Sequence, residues 1–309
     1  YMIYAITSRK SGCGRTTIAL LTAMLTASKV NGSTILLDLS YGNDIYSVLK
    51  ANKPNASIDN LISAVGLDPS YIDFDENLID VNGMFFIPGT SVNQSRYLEK
   101  RYLNVKDLLD VVHSKFNSVI IDVDYSLYEE LVDLGLEITP IHVLDQNMLN
   151  IEKYHSDIQT GIFTGFYVLN KYREEVFPNF EFFDRNFKQG SLVVVDLDVE
   201  LTSILNRKNL TLKSIEKSKC FEGLDVLSNL ISQNVTVTNS IYTSHSASRK
   251  FSIFDMFLGG NPRRKASNKN KTSNTRPSAK DKSNNSVEGK KKSSKLTDKI
   301  QKKKLGGGK

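Results

Sequence analysis

Between residues 2 and 197 the chain passes repeatedly from a short, wholly apolar β-type run to a helix-type stretch, and this alternation restricts its fold most. "MIYAIT" (2–7), "STILLDL" (33–39), "MFFIPG" (84–89), "SVIIDV" (118–123), "ITPIHVLD" (138–145), "FTGFYVLN" (163–170) and "SLVVVDL" (191–197) read as strands. Helical patterns at 16–30, 104–116, 125–135, 147–160, 198–208 and 222–233 separate most of them. A strand with one face in water alternates apolar and polar residues, whereas one apolar throughout is covered on both faces. Joined by helices, such strands predict an α/β fold with a doubly wound, mostly parallel sheet. "VNGM" (81–84) adds a two-residue hairpin turn.

The alternation stops near Thr243, and the charge changes with it. Residues 260–309 hold 17 Lys/Arg against 3 Asp/Glu, while residues 1–259 hold 23 against 31. An acidic body thus precedes a basic tail. The tail is too poor in apolar residues to offset its ordering entropy and is expected to be disordered. The expected organisation is one α/β domain over 1–243, a linker with a short amphipathic helix over 244–260, and a Lys-rich tail over 261–309. Two cysteines, Cys13 and Cys220, offer neither a disulfide framework nor a metal cluster and suit a reducing cytoplasm. No apolar run approaches the roughly 20 residues that cross a bilayer.

"SRKSGCGRTTIAL" (8–20) lies where the first strand gives way to the first helix. A helix N-terminus there presents unpaired N–H groups and a positive dipole end to an anion. Gly12 and Gly14 let the backbone curl round phosphate oxygens, and the Thr16 hydroxyl is placed for Mg²⁺. The general phosphate-loop pattern GxxxxGK[ST] is not met, because Arg9 occupies its first glycine. A glycine-rich turn that merely joins strand to helix is the plainer alternative.

The stretch Lys10-Ser11-Gly12-Cys13-Gly14-Arg15-Thr16 resembles the deviant Walker A motif, KGGxGKT, of the ParA/MinD ATPase superfamily. Three later stretches match in order: "ILLDLSYGND" (35–44), "FNSVIIDVDYSL" (116–127) and "GFYVLNKYRE" (165–174). The resemblance spans about residues 1–233 and implies ATP with Mg²⁺. Lys10, Ser11, Gly12, Cys13, Gly14, Arg15, Thr16 and Thr17 would hold the phosphates. Thr16 and Asp122 would hold the metal, and Asn170 would contact adenine. It also implies a homodimer in which Lys10 reaches the partner's phosphates.

Two departures bear on catalysis. The family's water-orienting carboxylate falls at Ser40, and a serine cannot take a proton at neutral pH. Arg15 replaces the loop's usual lysine, exchanging a compact ammonium for a broad planar fork. Asp124, two residues past Asp122, is the candidate substitute carboxylate; a surface acid is the plainer reading. Together these imply nucleotide binding with slow hydrolysis at most.

"DLSYGNDIYSVL" (38–49) is similar to a segment of the pilus-assembly localisation proteins of CpaE/TadZ type, an atypical branch of the superfamily. Members of that branch often carry a receiver-like domain ahead of the ATPase body, which these 309 residues do not include. The branch implies a positioning factor for a membrane-associated assembly such as a pilus, secretion or conjugation machine. The alternative is an active ParA-type ATPase that partitions DNA or another polyanionic cargo.

"RKFSIFDMFLGG" (249–260) resembles the membrane-targeting helix of MinD. Phe251, Ile253, Phe254, Phe257 and Leu258 share one side of a helical wheel, which suits the interface of an anionic membrane, with Arg263, Arg264 and Lys265 adding attraction. This would place the protein in the cytoplasm, peripheral at the inner face of the cell membrane. The same side would equally seat the segment on the body as a last core helix. The Lys-rich tail would also bind nucleic acid without sequence preference.

Overall fold

The computed structural model describes residues 2–234 apart from 31–32, 41–42, 52, 54–55, 90–101, 161–164 and 188–190. Eight strands run in the order β1 (Met2–Thr7), β2 (Thr34–Leu39), β3 (Ile79–Val81), β4 (Met84–Ile87), β5 (Ser118–Val123), β6 (Ile138–Asp145), β7 (Phe166–Tyr172) and β8 (Ser191–Asp196). The helices are α1 (Arg15–Lys29), α2 (Asp44–Leu49), α3 (Ile58–Leu67), α4 (Phe74–Asn77), α5 (Tyr102–Lys115) and α6 (Tyr125–Asp133), followed by α7 (Met148–Ile151), α8 (His155–Thr160), α9 (Phe180–Asn186), α10 (Val199–Asn206), α11 (Leu212–Glu216) and α12 (Phe221–Ser232).

The strands form one sheet in the spatial order β3-β4-β2-β5-β1-β6-β7-β8. Its pairings are parallel except β3 with β4. The sheet is therefore doubly wound and mostly parallel, as the alternating apolar runs require. The antiparallel pair arises at the expected turn: Asn82 and Gly83 both take positive φ (55° and 83°), as a type I′ hairpin demands.

The apolar strands are buried on both faces. On one, Ile3, Ala5, Ile35, Leu37, Val119 and Ile121 pack with Leu61 and Val65 of α3 and with Leu108, Leu109 and Val112 of α5. α1 packs against α12, and residues 18–26 of α1 are all buried. Such a helix needs apolar or small residues all round, which "IALLTAMLT" supplies. Lys29 ties its end to α12 through Asp225 (2.6 Å to Oδ1) and the side-chain Oδ1 of Asn229 (2.9 Å). α12 also approaches β8 closely: a Cβ on Gly223 would lie 2.0 Å from the Val194 carbonyl oxygen.

Several elements depart from the sequence expectation. The single helix expected over 147–160 is three pieces, α7, a 3₁₀ turn at Glu152–Tyr154, and α8. The buried Tyr154 explains the interruption, since its hydroxyl accepts a hydrogen bond from Arg9 N (3.2 Å) and draws that turn toward β1. The seventh strand begins at Phe166 rather than 163 and runs on to Tyr172. The helices α2, α3, α4, α9 and α11 were not expected; all but α3 span seven residues or fewer and are too short for a periodic signal. Residues 235–309, with the amphipathic segment at 251–258 and the basic tail, lie outside the described residues.

Candidate functional site

The carboxyl ends of β1, β2, β5 and β7 converge on the 8–14 loop. β1 lies between β5 and β6, so the chain winds outward from it in both directions, the usual place for a ligand crevice in an open α/β sheet. Gly12 and Gly14 take φ of 84° and 90°, the left-handed region that favours glycine. Gly14 is the N-cap of α1 and carries no side chain to satisfy the first-turn N–H groups, so these remain for an anion. Ser11 and Gly12 are exposed, and Lys10, Thr16 and Thr17 are half-buried.

The loop is braced from β7. Asn170 Nδ2 donates to the Cys13 carbonyl oxygen (2.8 Å) and Lys171 Nζ to that of Gly12 (2.8 Å). Inside the loop, Cys13 Sγ donates to Ser8 Oγ (2.9 Å), and Ser8 Oγ to the Lys10 carbonyl oxygen (2.7 Å). Gly14 is enclosed so tightly that a Cβ there would lie 2.3 Å from Asn170 Nδ2. Asn170 thus fixes the 8–14 loop, a role its sequence match did not indicate, while still lining the adjoining cavity.

That cavity, of about 350 Å³, opens beside the loop. Gly14, Thr16 and Thr17 form one wall, Asp44, Ile45 and Val48 a second, Asn170 and Lys171 a third; Leu197, Leu201 and Leu205 lie opposite. The β8–α10 wall had no sequence signal, because nothing in its spacing relates it to a loop almost two hundred residues away.

Three carboxylates and one guanidinium meet behind the loop. Asp38 and Asp122 are cross-strand partners on β2 and β5 and both are 0% exposed. Arg15 Nε donates to Asp122 Oδ1 at 2.6 Å, and Nη1 donates to Asp124 Oδ1. Ser40 donates twice to Asp38 Oδ1, from its hydroxyl (2.6 Å) and its N–H (3.0 Å). Burial, then the charge of Asp122, pushes the Asp38 carboxyl well above the usual carboxylate range. Burial also raises Asp122, but Arg15 opposes it, and Thr16's hydroxyl beside the same carboxylate further favours its charged form. Burial works against the charge of Arg15, yet Asp122 and Asp124 outweigh it and raise its pKa.

These contacts bear on magnesium, which prefers near-octahedral oxygens and retains several waters. Of Asp122's two oxygens, Oδ1 is held by Arg15, while Oδ2 is buried without a hydrogen-bond partner. With Arg15 in this position, Thr16 and Asp122 do not fit the ion.

Arg9, at the loop's entry, reaches the other way. Its guanidinium lies 4.9 and 4.7 Å from the ring centroids of Tyr125 and Tyr154, pairs with Asp157 Oδ2 (3.3 Å), and donates to the Lys153 carbonyl oxygen (2.6 Å). Beneath this clasp lies His142, ringed by Tyr125, Tyr128, Tyr154 and Tyr167 with centroids 5.0–6.2 Å away. Burial, with Arg9's charge adding to it, pulls the imidazole down to about 4.

No protein-family model matches the sequence, and no curated protein matches it either. Solved structures do. The ParA family ATPase of Chlorobium tepidum aligns with a TM-score of 0.60 at 14% identity, over 74% of this chain and 98% of that one. The MinC:MinD cell division complex of Aquifex aeolicus gives 0.59 at 13% identity, over 79% and 99%. The septum site-determining protein MinD of Pyrococcus horikoshii, complexed with Mg-ADP, gives 0.55 at 14%, over 74% and 94%. The fold is that of the ParA/MinD ATPases. Asn170 contacts the 8–14 loop, and Asp122 contacts Arg15 directly after it. Among the described residues, no helix is long and apolar enough to cross a membrane.

Proposed function

We propose that this protein binds an adenine nucleotide at the 8–14 loop and works as a dimerising positioning factor of ParA/MinD type with little or no hydrolysis. The observation that carries the nucleotide is the loop itself: two positive-φ glycines, an open α1 N-terminus, and a brace from Asn170 and Lys171 beside a 350 Å³ cavity. Phosphates would lie on the N–H groups of Gly12 to Thr17, with Lys10, Arg15 and Lys171 supplying charge, and the base would enter the cavity past Asn170. MinD and ParA relatives of the same fold, one of them complexed with Mg-ADP, support this reading.

Slow turnover follows from the groups around the phosphates. Ser40 offers no carboxylate, and its hydroxyl is committed to Asp38. Asp124, the substitute, has an oxygen held by the Arg15 guanidinium, which leaves that oxygen committed rather than free to position a water. The cargo would be a membrane-associated assembly of the pilus, secretion or conjugation kind, reached through residues 251–265 at an anionic membrane surface. Nucleotide binding would control the pairing of two copies.

Calorimetry with ATP, ADP and a slow analogue tests the binding; absence of heat with all three refutes it. Light scattering with and without the analogue tests the dimer. Phosphate release strongly stimulated by DNA or anionic vesicles would instead establish a working partition ATPase.

A further inference from the structure

Arg15, the first residue of α1 after the loop, stands in a position that bears on the ligand's metal requirement. Its side chain is 16% exposed, that of Asp122 0% and that of Asp124 29%, so the bridge is largely shielded from water. A pair so placed is held far more firmly than a surface ion pair, since separating it strands a charge in a medium that solvates it poorly. A divalent ion coming to Asp122 would have either to displace Nε from Oδ1 or to open a way to the enclosed Oδ2, in both cases against the positive charge of Arg15 held on the same carboxylate.

Arg15 also retains the means to meet a phosphate. A guanidinium has five N–H donors. Nε and one N–H of Nη1 are given to the carboxylates, which leaves the others for phosphate oxygens. Arginine's rigid fork suits this double engagement; an ammonium, a hydrated point charge, does not hold two carboxylates and a phosphate in one fixed geometry. Lys171, fixed on the Gly12 carbonyl oxygen, adds a second positive charge at the loop.

We propose that the Arg15 guanidinium takes the place of the divalent cation, so that the loop binds a nucleoside di- or triphosphate without a metal ion. The proposal rests on the nucleotide reading above and departs from the magnesium that the sequence resemblance implies.

The test is calorimetry on the full chain with ATP and ADP, in magnesium buffer and in EDTA, for the wild type and for Arg15→Lys. The wild type is expected to bind with Kd values within about threefold of each other in the two buffers. Arg15→Lys, which restores the compact ammonium, is expected to lose about tenfold or more of its affinity in EDTA. A wild-type loss of that size overturns the proposal and leaves the nucleotide reading intact. Equal affinities for Arg15→Lys in both buffers overturn the assignment to Arg15. Absence of binding by the wild type in either buffer removes the nucleotide reading and this inference with it. The wild-type comparison needs no variant, so it decides the proposal even where Arg15→Lys folds poorly.

Discussion

Adding one methyl group at Gly14 should strain the loop and unseat Asn170 together, and the two effects can be separated. At φ 90° a Cβ meets its own backbone, a strain of roughly 1–2 kcal/mol for an L-residue. The same Cβ would lie 2.3 Å from Asn170 Nδ2, so the amide must leave the Cys13 carbonyl oxygen. Leaving that buried pair unmade costs about 1–3 kcal/mol more. Gly14→Ala is therefore expected to lower unfolding free energy by about 2–5 kcal/mol, and Asn170→Ala alone by about 1–3 kcal/mol. In the double variant the hydrogen bond is lost once and the collision disappears, leaving chiefly the backbone strain. The double should be less destabilised than the sum of the singles by about 1–3 kcal/mol. Urea unfolding of the four proteins at 25 °C reads this directly. Additivity within about 0.5 kcal/mol would show that Gly14 and Asn170 do not act on one another, and the bracing of the loop by β7 would have to be abandoned.

Other outcomes follow from the same geometry. His142 titrates near 4 in the fold against an ordinary 6.5, so the fold favours its neutral form. Stability is complete above about pH 6.5 and falls as pH drops to about 4, by about 3 kcal/mol; the charged groups acting on the imidazole are Arg9 and Asp157, and the four tyrosines around it stay neutral over this range. Chemical denaturation at pH 7 and pH 4 should show most of that loss absent in His142→Leu, and an unchanged loss would discredit the buried-imidazole account. Asp38 has the opposite sign: its folded pKa lies above the ordinary 3.8, so ionisation opposes folding as pH rises past that value. Asp38→Asn keeps the oxygen that Ser40 uses, and should raise the melting temperature at pH 8 with a gain that shrinks toward pH 4; a lower melting temperature at pH 8 contradicts this. Arg9→Ala gives up Asp157, the Lys153 carbonyl oxygen and two aromatic faces, and should cost about 1–3 kcal/mol in the same assay. Arg9→Lys should recover less than half of it, because the planar stacking is lost.

The sheet was legible in the sequence because burial on both faces leaves few choices of residue: "TILLDL" and "SVIIDV" can hardly be anything but central strands. The Asn82-Gly83 turn was legible for a local reason too, since both residues tolerate positive φ. The conformational role of Gly12 and Gly14 was likewise readable, from their place between a strand and a helix. What was not readable depends on partners distant in sequence. Arg9 looked like a broken glycine position, and its clasp on Tyr154 and Asp157 joins residues about 145 apart. Asn170 matched a base-contacting strand end, yet its donor is spent on the loop backbone. Arg15 read as a defect in the motif; only the meeting of α1 with the end of β5 and the residues after it shows what its fork engages.

The outermost strand on one flank, β3, has only three residues, and its central Asp80 is exposed and turned back to accept from Gly83 N. So brief a ribbon, closed by its own carboxylate, gives a second molecule almost no ladder to extend. A stack grown by continuing the sheet from copy to copy is thereby discouraged along that flank. The nucleotide-controlled pairing proposed above would then use surfaces other than this edge.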